Sequence, residues 1–215
     1  MAPSRQGTSD KVGLEDFVNQ NGGLGIRSEP VNVDESLKKK ESTSVVDPPI
    51  VSHQAMISIR YASTADAALL RTMIRELAEY ERELKMVSIT ENDLLRDGFG
   101  PAPKFLALIA EWEGQAAGYA LFFGVYSTWV GRPGIFLEDL FVRPAFRNRG
   151  IGKALLARVA RIALDEGCYG LRWEVLNWNQ PAIDLYRRIG ATFLDEWRSV
   201  LLTDEALERL AEQPS

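Results

Sequence analysis

Apolar residues change their spacing several times along this chain, and each change marks an element. "MISIRYA" (56–62) alternates apolar and polar positions as a half-buried strand does. "STADAALLRTMIRELAEYEREL" (63–84) then places Leu70, Met73, Leu77, Tyr80 and Leu84 at helical steps, with Ser63 and Asp66 as a capping pair. "TENDLLRDG" predicts a shorter helix capped by Thr90 and stopped by Gly98. Three runs follow that read as strands, "KFLALIAEW", "GYALFFGVY" and "GIFLEDLFV", the first two separated by Glu113 and Gly114 as a hairpin turn. "GKALLARVARIALDEG" gathers Leu155, Leu156, Val159, Ile162 and Ala163 on one helical side and ends at Gly167. "YGLRWEVL" predicts a strand, "PAIDLYRRIG" a helix with Pro181 in its first turn and Gly190 past its end, and "WRSVLL" a last strand.

Residues 1–55 lack any sustained apolar period and are rich in Ser, Gly, Asn, Pro and Lys, which predicts a disordered extension, with Met56 an alternative start. Residues 56–215 are then one domain, since 215 residues at 46% hydrophobic suffice for one core and not for several.

A net charge of −5 argues against a general nucleic-acid binder and suits small cationic substrates better. The single cysteine, Cys168, and single histidine, His53, leave no internal disulfide and no zinc cluster, so a reducing compartment and metal-free chemistry are expected. Without a core histidine to activate it, Cys168 reads as a structural thiol. No apolar run approaches the ~20 residues of a membrane-spanning helix, and the N-terminus lacks the order of a secretory signal, so a cytoplasmic protein without membrane contact is expected.

Candidate chemistry begins at "FVRPAFRNRGIGKALL" (141–156), a strand, a glycine-rich turn and a helix start. First-turn amides have no intrahelical acceptor, Gly150 and Gly152 let an anion approach the backbone, and Arg147, Arg149 and Lys153 favour negative charge. A Walker loop is excluded because Ala154 follows Gly152-Lys153, and a dinucleotide fingerprint because Leu155 stands where a third glycine belongs. A pyrophosphate-bearing cofactor fits the turn. One strand earlier, Glu138 and Asp139 sit in an apolar run, where alternation points them to opposite faces and burial raises the pKa of any unpaired carboxyl. Tyr186 shares an apolar stripe with Ile183 and Ile189, and on spacing alone is a packed aromatic.

"RNRGIG" reads as Arg/Gln-x-x-Gly-x-Gly/Ala and resembles the acetyl-CoA loop of the GNAT N-acetyltransferase superfamily. "ELAEYE", "ITENDLLRDGFG", "YSTWVG", "LEDLFV" and "NWNQPAIDLYRRIGA" extend the likeness over roughly residues 57–202, and together resemble its spermidine/spermine and thialysine branch. The resemblance implies an α/β fold with a mixed, mostly antiparallel central sheet flanked by helices, its middle strands splayed to admit the pantetheine arm. It implies acetyl-CoA held by Leu140, Phe141, Val142, Arg147, Asn148, Arg149, Gly150, Ile151, Gly152, Lys153, Asn179 and Tyr186. In the same terms Glu138 is the base, Tyr186 the acid facing the sulfur, and Asp139, Tyr80, Glu81, Trp129 and Trp197 hold the amine. A homodimer is also implied, and direct transfer follows from the absence of an activated cysteine. Spermidine/spermine enzymes resemble Asp-Pro-Trp where this chain has Ser127-Thr128-Trp129, which favours thialysine-like, lysine-like or other small primary amines. The alternatives are acetylation of a protein N-terminus or lysine, and a non-catalytic acetyl-CoA-binding module, against which the retention of Glu138 and Tyr186 speaks.

Overall fold

The computed structural model describes residues 57–213, so the expectations for the N-terminal extension, His53 and Met56 lie outside the described residues. In chain order the elements are β1 (Ile57–Tyr61), α1 (Ala67–Tyr80), α2 (Glu91–Gly98), β2 (Leu106–Trp112), β3 (Gln115–Ser127), β4 (Arg132–Val142), α3 (Ile151–Asp165), β5 (Leu171–Arg172), α4 (Gln180–Arg188) and α5 (Asp204–Ala211). The described residues fall into two compact units, divided between Glu174 and Val175.

The first unit holds a five-stranded sheet in the order β1-β2-β3-β4-β5. The first three pairings are antiparallel, and β4 pairs β5 in parallel, with α3 as the crossover between them. Glu113 (φ 50°) and Gly114 (φ 77°) both take positive φ between β2 and β3, as a two-residue hairpin of this twist demands. Leu70 and Met73 of α1 and Leu94 of α2 pack on Ala107, Ile109, Tyr119, Leu121 and Phe141, which define one face of the sheet. The intervening Leu108, Ala110, Ala120 and Phe122 are buried too, and α3 lies along β1 to β4 with Leu155, Leu156, Val159, Ile162 and Ala163 buried, as its spacing predicts. Truncating Leu70 or Met73 to alanine, both 0% exposed, would cost about 2–5 kcal/mol.

The capping pair forms as expected. Asp66 accepts from the Ser63 amide and hydroxyl, both at 2.8 Å, and pairs with Arg60, which holds its carboxyl down at about 2. Helix α1 stops at Tyr80, four residues short of the predicted Leu84. Arg82 takes φ 66°, a left-handed turn without the glycine that would have announced it. At the far end of α3, Gly167 at φ 69° lets the Cys168 amide reach the Ala163 carbonyl at 2.8 Å, so the predicted glycine stop is real.

Strand β4 is irregular where the chemistry was expected. Leu137 pairs with Phe122 and Asp139 with Leu121, which leaves Glu138 as an extra, unpaired residue. Phe122 and Leu121 are adjacent and face opposite sides, so Leu137 and Asp139 do as well, although unbroken alternation would put them together. The expectation that alternation alone sends Glu138 and Asp139 to opposite faces is therefore corrected: Asp139 shares the α1 face with Leu121 and Phe141, and Glu138 is the bulge that re-phases the strand.

Two predicted strands shrink or vanish. "YGLRWEVL" yields only Leu171–Arg172, paired with Ile135 and Phe136. "WRSVLL" forms no strand, and Val200 and Leu201 are 89% and 84% exposed. Apolar β-branched residues become a strand only where a neighbour takes their ladder hydrogen bonds, and none does so here among the described residues.

In the second unit, α4 begins after Asn179 with Pro181 in its first turn, and buries Ile183 and Tyr186. Gly190 at φ 83° ends it, with the Ala191 amide returning to the Tyr186 carbonyl at 3.0 Å. No helix of the described residues is long and apolar enough to cross a membrane.

Candidate active site

The turn between β4 and α3 is fixed at its entrance by Arg143. Its guanidinium forks onto Glu76 of α1 at 2.7 and 2.9 Å, and donates to the Ala116 carbonyl at 2.9 Å. A 3-10 turn over Pro144–Phe146 follows, then Asn148 at φ 62° and Gly150 at φ 81°. Gly150 caps α3 without a side chain, so nothing in the cap competes for the amides of Ile151, Gly152 and Lys153. A Cβ at Gly150 would meet no atom within 4 Å, so the space beside the cap residue is open. Amides without a side-chain cap at a helix N-terminus, with exposed Lys153 and two nearby arginines, suit a diphosphate.

Both arginines are already placed. The Arg147 guanidinium lies 4.4 Å from the centroid of the Tyr80 ring, and its Nε donates to the Val142 carbonyl at 3.0 Å. Arg149 lies 4.7 Å from the Trp112 ring.

Beside this turn, pairing on the β5 side of β4 stops at Phe136, so no strand flanks Glu138 to Phe141 on that side among the described residues. The ladder between β4 and β5 therefore ends before Glu138. Glu138 is exposed, yet its carboxyl is raised by loss of surrounding water, with the Glu174 charge adding to the effect.

Asp139 is pushed to about 6 by burial, against the hydrogen bond it accepts from Tyr119 Oη at 2.9 Å, and the charges of Glu138 and Glu81 push the same way as burial. Burial likewise raises Glu81, which follows the last residue of α1, and lifts the fully buried Tyr119 hydroxyl well above its usual range. The charges that raise Glu138 and Asp139 are those of Glu174, Glu138 and Glu81.

The remaining predicted residues are placed as follows. Leu140, Phe141 and Val142 form the end of β4, and Phe141 is buried against Tyr119. Trp129 is 42% exposed in the turn between β3 and β4, and at about 3.3 Å per residue the strand alone carries Glu138 roughly 20 Å from that turn. The two are not brought together within this strand. Ser127 is buried and its Oγ accepts the Val130 amide at 3.2 Å, so the residue that departs from Asp-Pro-Trp serves the turn. In the second unit Asn179 precedes α4, Tyr186 is 6% exposed, and Trp197 is 44% exposed. Cys168 is free and buried, and burial pushes its thiol up, which suits a structural role.

Residues that pattern reading missed are Tyr119, Glu76, Arg143, Trp112 and Glu174. Each acts through a partner far away in sequence, so no local spacing signals it.

An uncapped helix start after a bulged strand, with pairing interrupted beside the bulge, is an anion-binding turn next to an open strand edge. Residues 69–191 match the acetyltransferase (GNAT) family, and the chain belongs to that family of enzymes. Among its relatives, thialysine N-epsilon-acetyltransferase of Sus scrofa is 44% identical over 168 residues, covering 73% of this chain and 98% of that protein. Spermidine/spermine N(1)-acetyltransferase-like protein 1 of Homo sapiens is 37% identical over 62% of this chain and 20% of that protein. In fold, the chain is similar to an aminoglycoside N-acetyltransferase solved in complex with CoA, with TM-score 0.54 and 23% identity over 69% of this chain and 95% of that one.

Proposed function

We propose that this enzyme transfers an acetyl group from acetyl-CoA to the primary amine of a small cationic substrate, a thialysine- or lysine-like amino acid first, a diamine or polyamine next. The observation that carries the reading is the negative set of Glu81, Glu138, Asp139 and Glu174 beside the open edge of β4. The name of the thialysine relative supports the substrate class, as does the buried Ser127 where polyamine enzymes resemble an aspartate.

In this reading the amides of Ile151, Gly152 and Lys153, with Arg147, Asn148 and Arg149, hold the diphosphate. The backbone of Leu140, Phe141 and Val142 aligns the pantetheine arm along the β4 edge. Bound acetyl-CoA supplies a thioester that an amine lone pair can attack, forming a C–N bond as the C–S bond breaks. Glu138, kept partly solvated and raised, takes the proton the attacking ammonium must lose. Asp139 and Glu81 hold the substrate's positive charge. Tyr186 keeps the acid's role and Asn179 a cofactor contact, both on the family resemblance, which also supplies Trp129 and Trp197 as amine contacts and the homodimer.

The test is thiol release from acetyl-CoA across a panel of thialysine, lysine, diamines, polyamines and lysine- or N-terminal peptides. Turnover with the small amines is expected. Turnover with peptides alone would move the enzyme to protein acetylation, and CoA binding without any turnover would make it a binding module.

A further inference from the structure

We infer that Tyr80 is a positioning residue of the cofactor grip: its ring seats Arg147 at the exit of β4. The inference rests on the acetyl-CoA reading above and assigns Tyr80 a part in the cofactor grip.

Tyr80 is the last residue of α1, and the chain turns away two residues later at Arg82. The two residues at this terminus divide their work. Glu81 acts electrostatically on Asp139 and Tyr119, whereas the Tyr80 ring lies against Arg147, 4.4 Å from its guanidinium carbon.

Arg147 is held at two points, by that ring and by the hydrogen bond from its Nε to the Val142 carbonyl at 3.0 Å. Its terminal nitrogens carry no hydrogen bond among the described residues, so those donors remain for an anion. A flexible arginine loses much rotamer freedom on gripping a phosphate, and a ring that holds its plane beforehand removes part of that cost. Arg149 is laid on Trp112 in the same manner, so both cations of the turn rest on aromatic faces from the sheet and α1. The contact also ties the turn to α1 alongside the Arg143–Glu76 fork.

A half-exposed cation–π contact of this kind is worth about a 3- to 10-fold change in affinity. The experiment measures the CoA dissociation constant by calorimetry and the KM for the best amine, in the wild type and in Tyr80→Phe, Tyr80→Leu, Arg147→Lys and the Tyr80→Leu/Arg147→Lys pair. Tyr80→Leu is expected to weaken CoA about 3- to 10-fold with amine KM within about twofold of wild type, and Tyr80→Phe to stay near wild type in both. The double variant is expected to be no weaker than Arg147→Lys alone, because the ring acts through that guanidinium. Should Tyr80→Leu fail to fold, Tyr80→Phe against Arg147→Lys still decides, since loss in Tyr80→Phe would mean that the hydroxyl and not the ring matters. The inference is overturned by a raised amine KM with unchanged CoA affinity, or by full additivity in the pair. A wild-type protein that binds no CoA would instead overturn the acetyl-CoA reading itself.

Discussion

Replacing Asp139 by asparagine should make the protein more stable at neutral pH while weakening its use of the amine. Asp139 ionises near 6 in the folded chain against an ordinary 3.8, chiefly because it is buried. A raised acid binds more protons folded than unfolded, so its stabilising contribution is fully present below about 3.8 and is lost as pH climbs through about 6. Two pKa units correspond to about 3 kcal/mol above pH 6, and about 1 kcal/mol at pH 4.5. Asparagine keeps an oxygen for the Tyr119 hydroxyl, which donates at 2.9 Å, and carries no charge to bury. Urea unfolding of both proteins at pH 4.5 and pH 8 reads the difference. The variant should gain about 1 kcal/mol at the lower pH and about 2–3 kcal/mol at the higher. A variant less stable at pH 8, or a gain independent of pH, would refute the reasoning, because Asp139 would then be paired with a cation in the fold.

Two further predictions follow. Glu138→Gln should lower kcat/KM about 100-fold near neutral pH and progressively less as pH approaches that of the free amine, because only the protonated substrate needs the base; pH-rate profiles that run parallel in both proteins would remove Glu138 from that role. Tyr186→Phe should lower kcat about 10-fold or more with CoA affinity unchanged, read by steady-state turnover and calorimetry, whereas wild-type turnover would return Tyr186 to the packed stripe it shares with Ile183.

What could be read from the sequence was whatever depends on near neighbours. Glu113-Gly114 announced its hairpin because only a few residues tolerate positive φ at both central positions. Leu155 to Ala163 announced the buried face of α3 because helical spacing is local. The uncapped α3 start was visible in Gly150 and Gly152 for the same reason. Register is different. Whether Glu138 is paired or bulged depends on how β4 meets β3, and the run "IFLEDLFV" reads the same either way. The Tyr80–Arg147 contact likewise joins residues 67 positions apart, so spacing placed Tyr80 on the apolar stripe of α1 and gave no sign of the arginine its ring meets. "WRSVLL" shows the converse failure, with the composition of a strand and no neighbour to complete one among the described residues.

The direct test of the account is a titration of the isotope-labelled protein with CoA, following backbone amides by NMR. Shifts concentrated at Asn148 to Lys153 and along Leu140 to Val142 would place the diphosphate at the start of α3 and the thiol arm beside Glu138. Shifts elsewhere, with those amides unmoved at saturation, would contradict it.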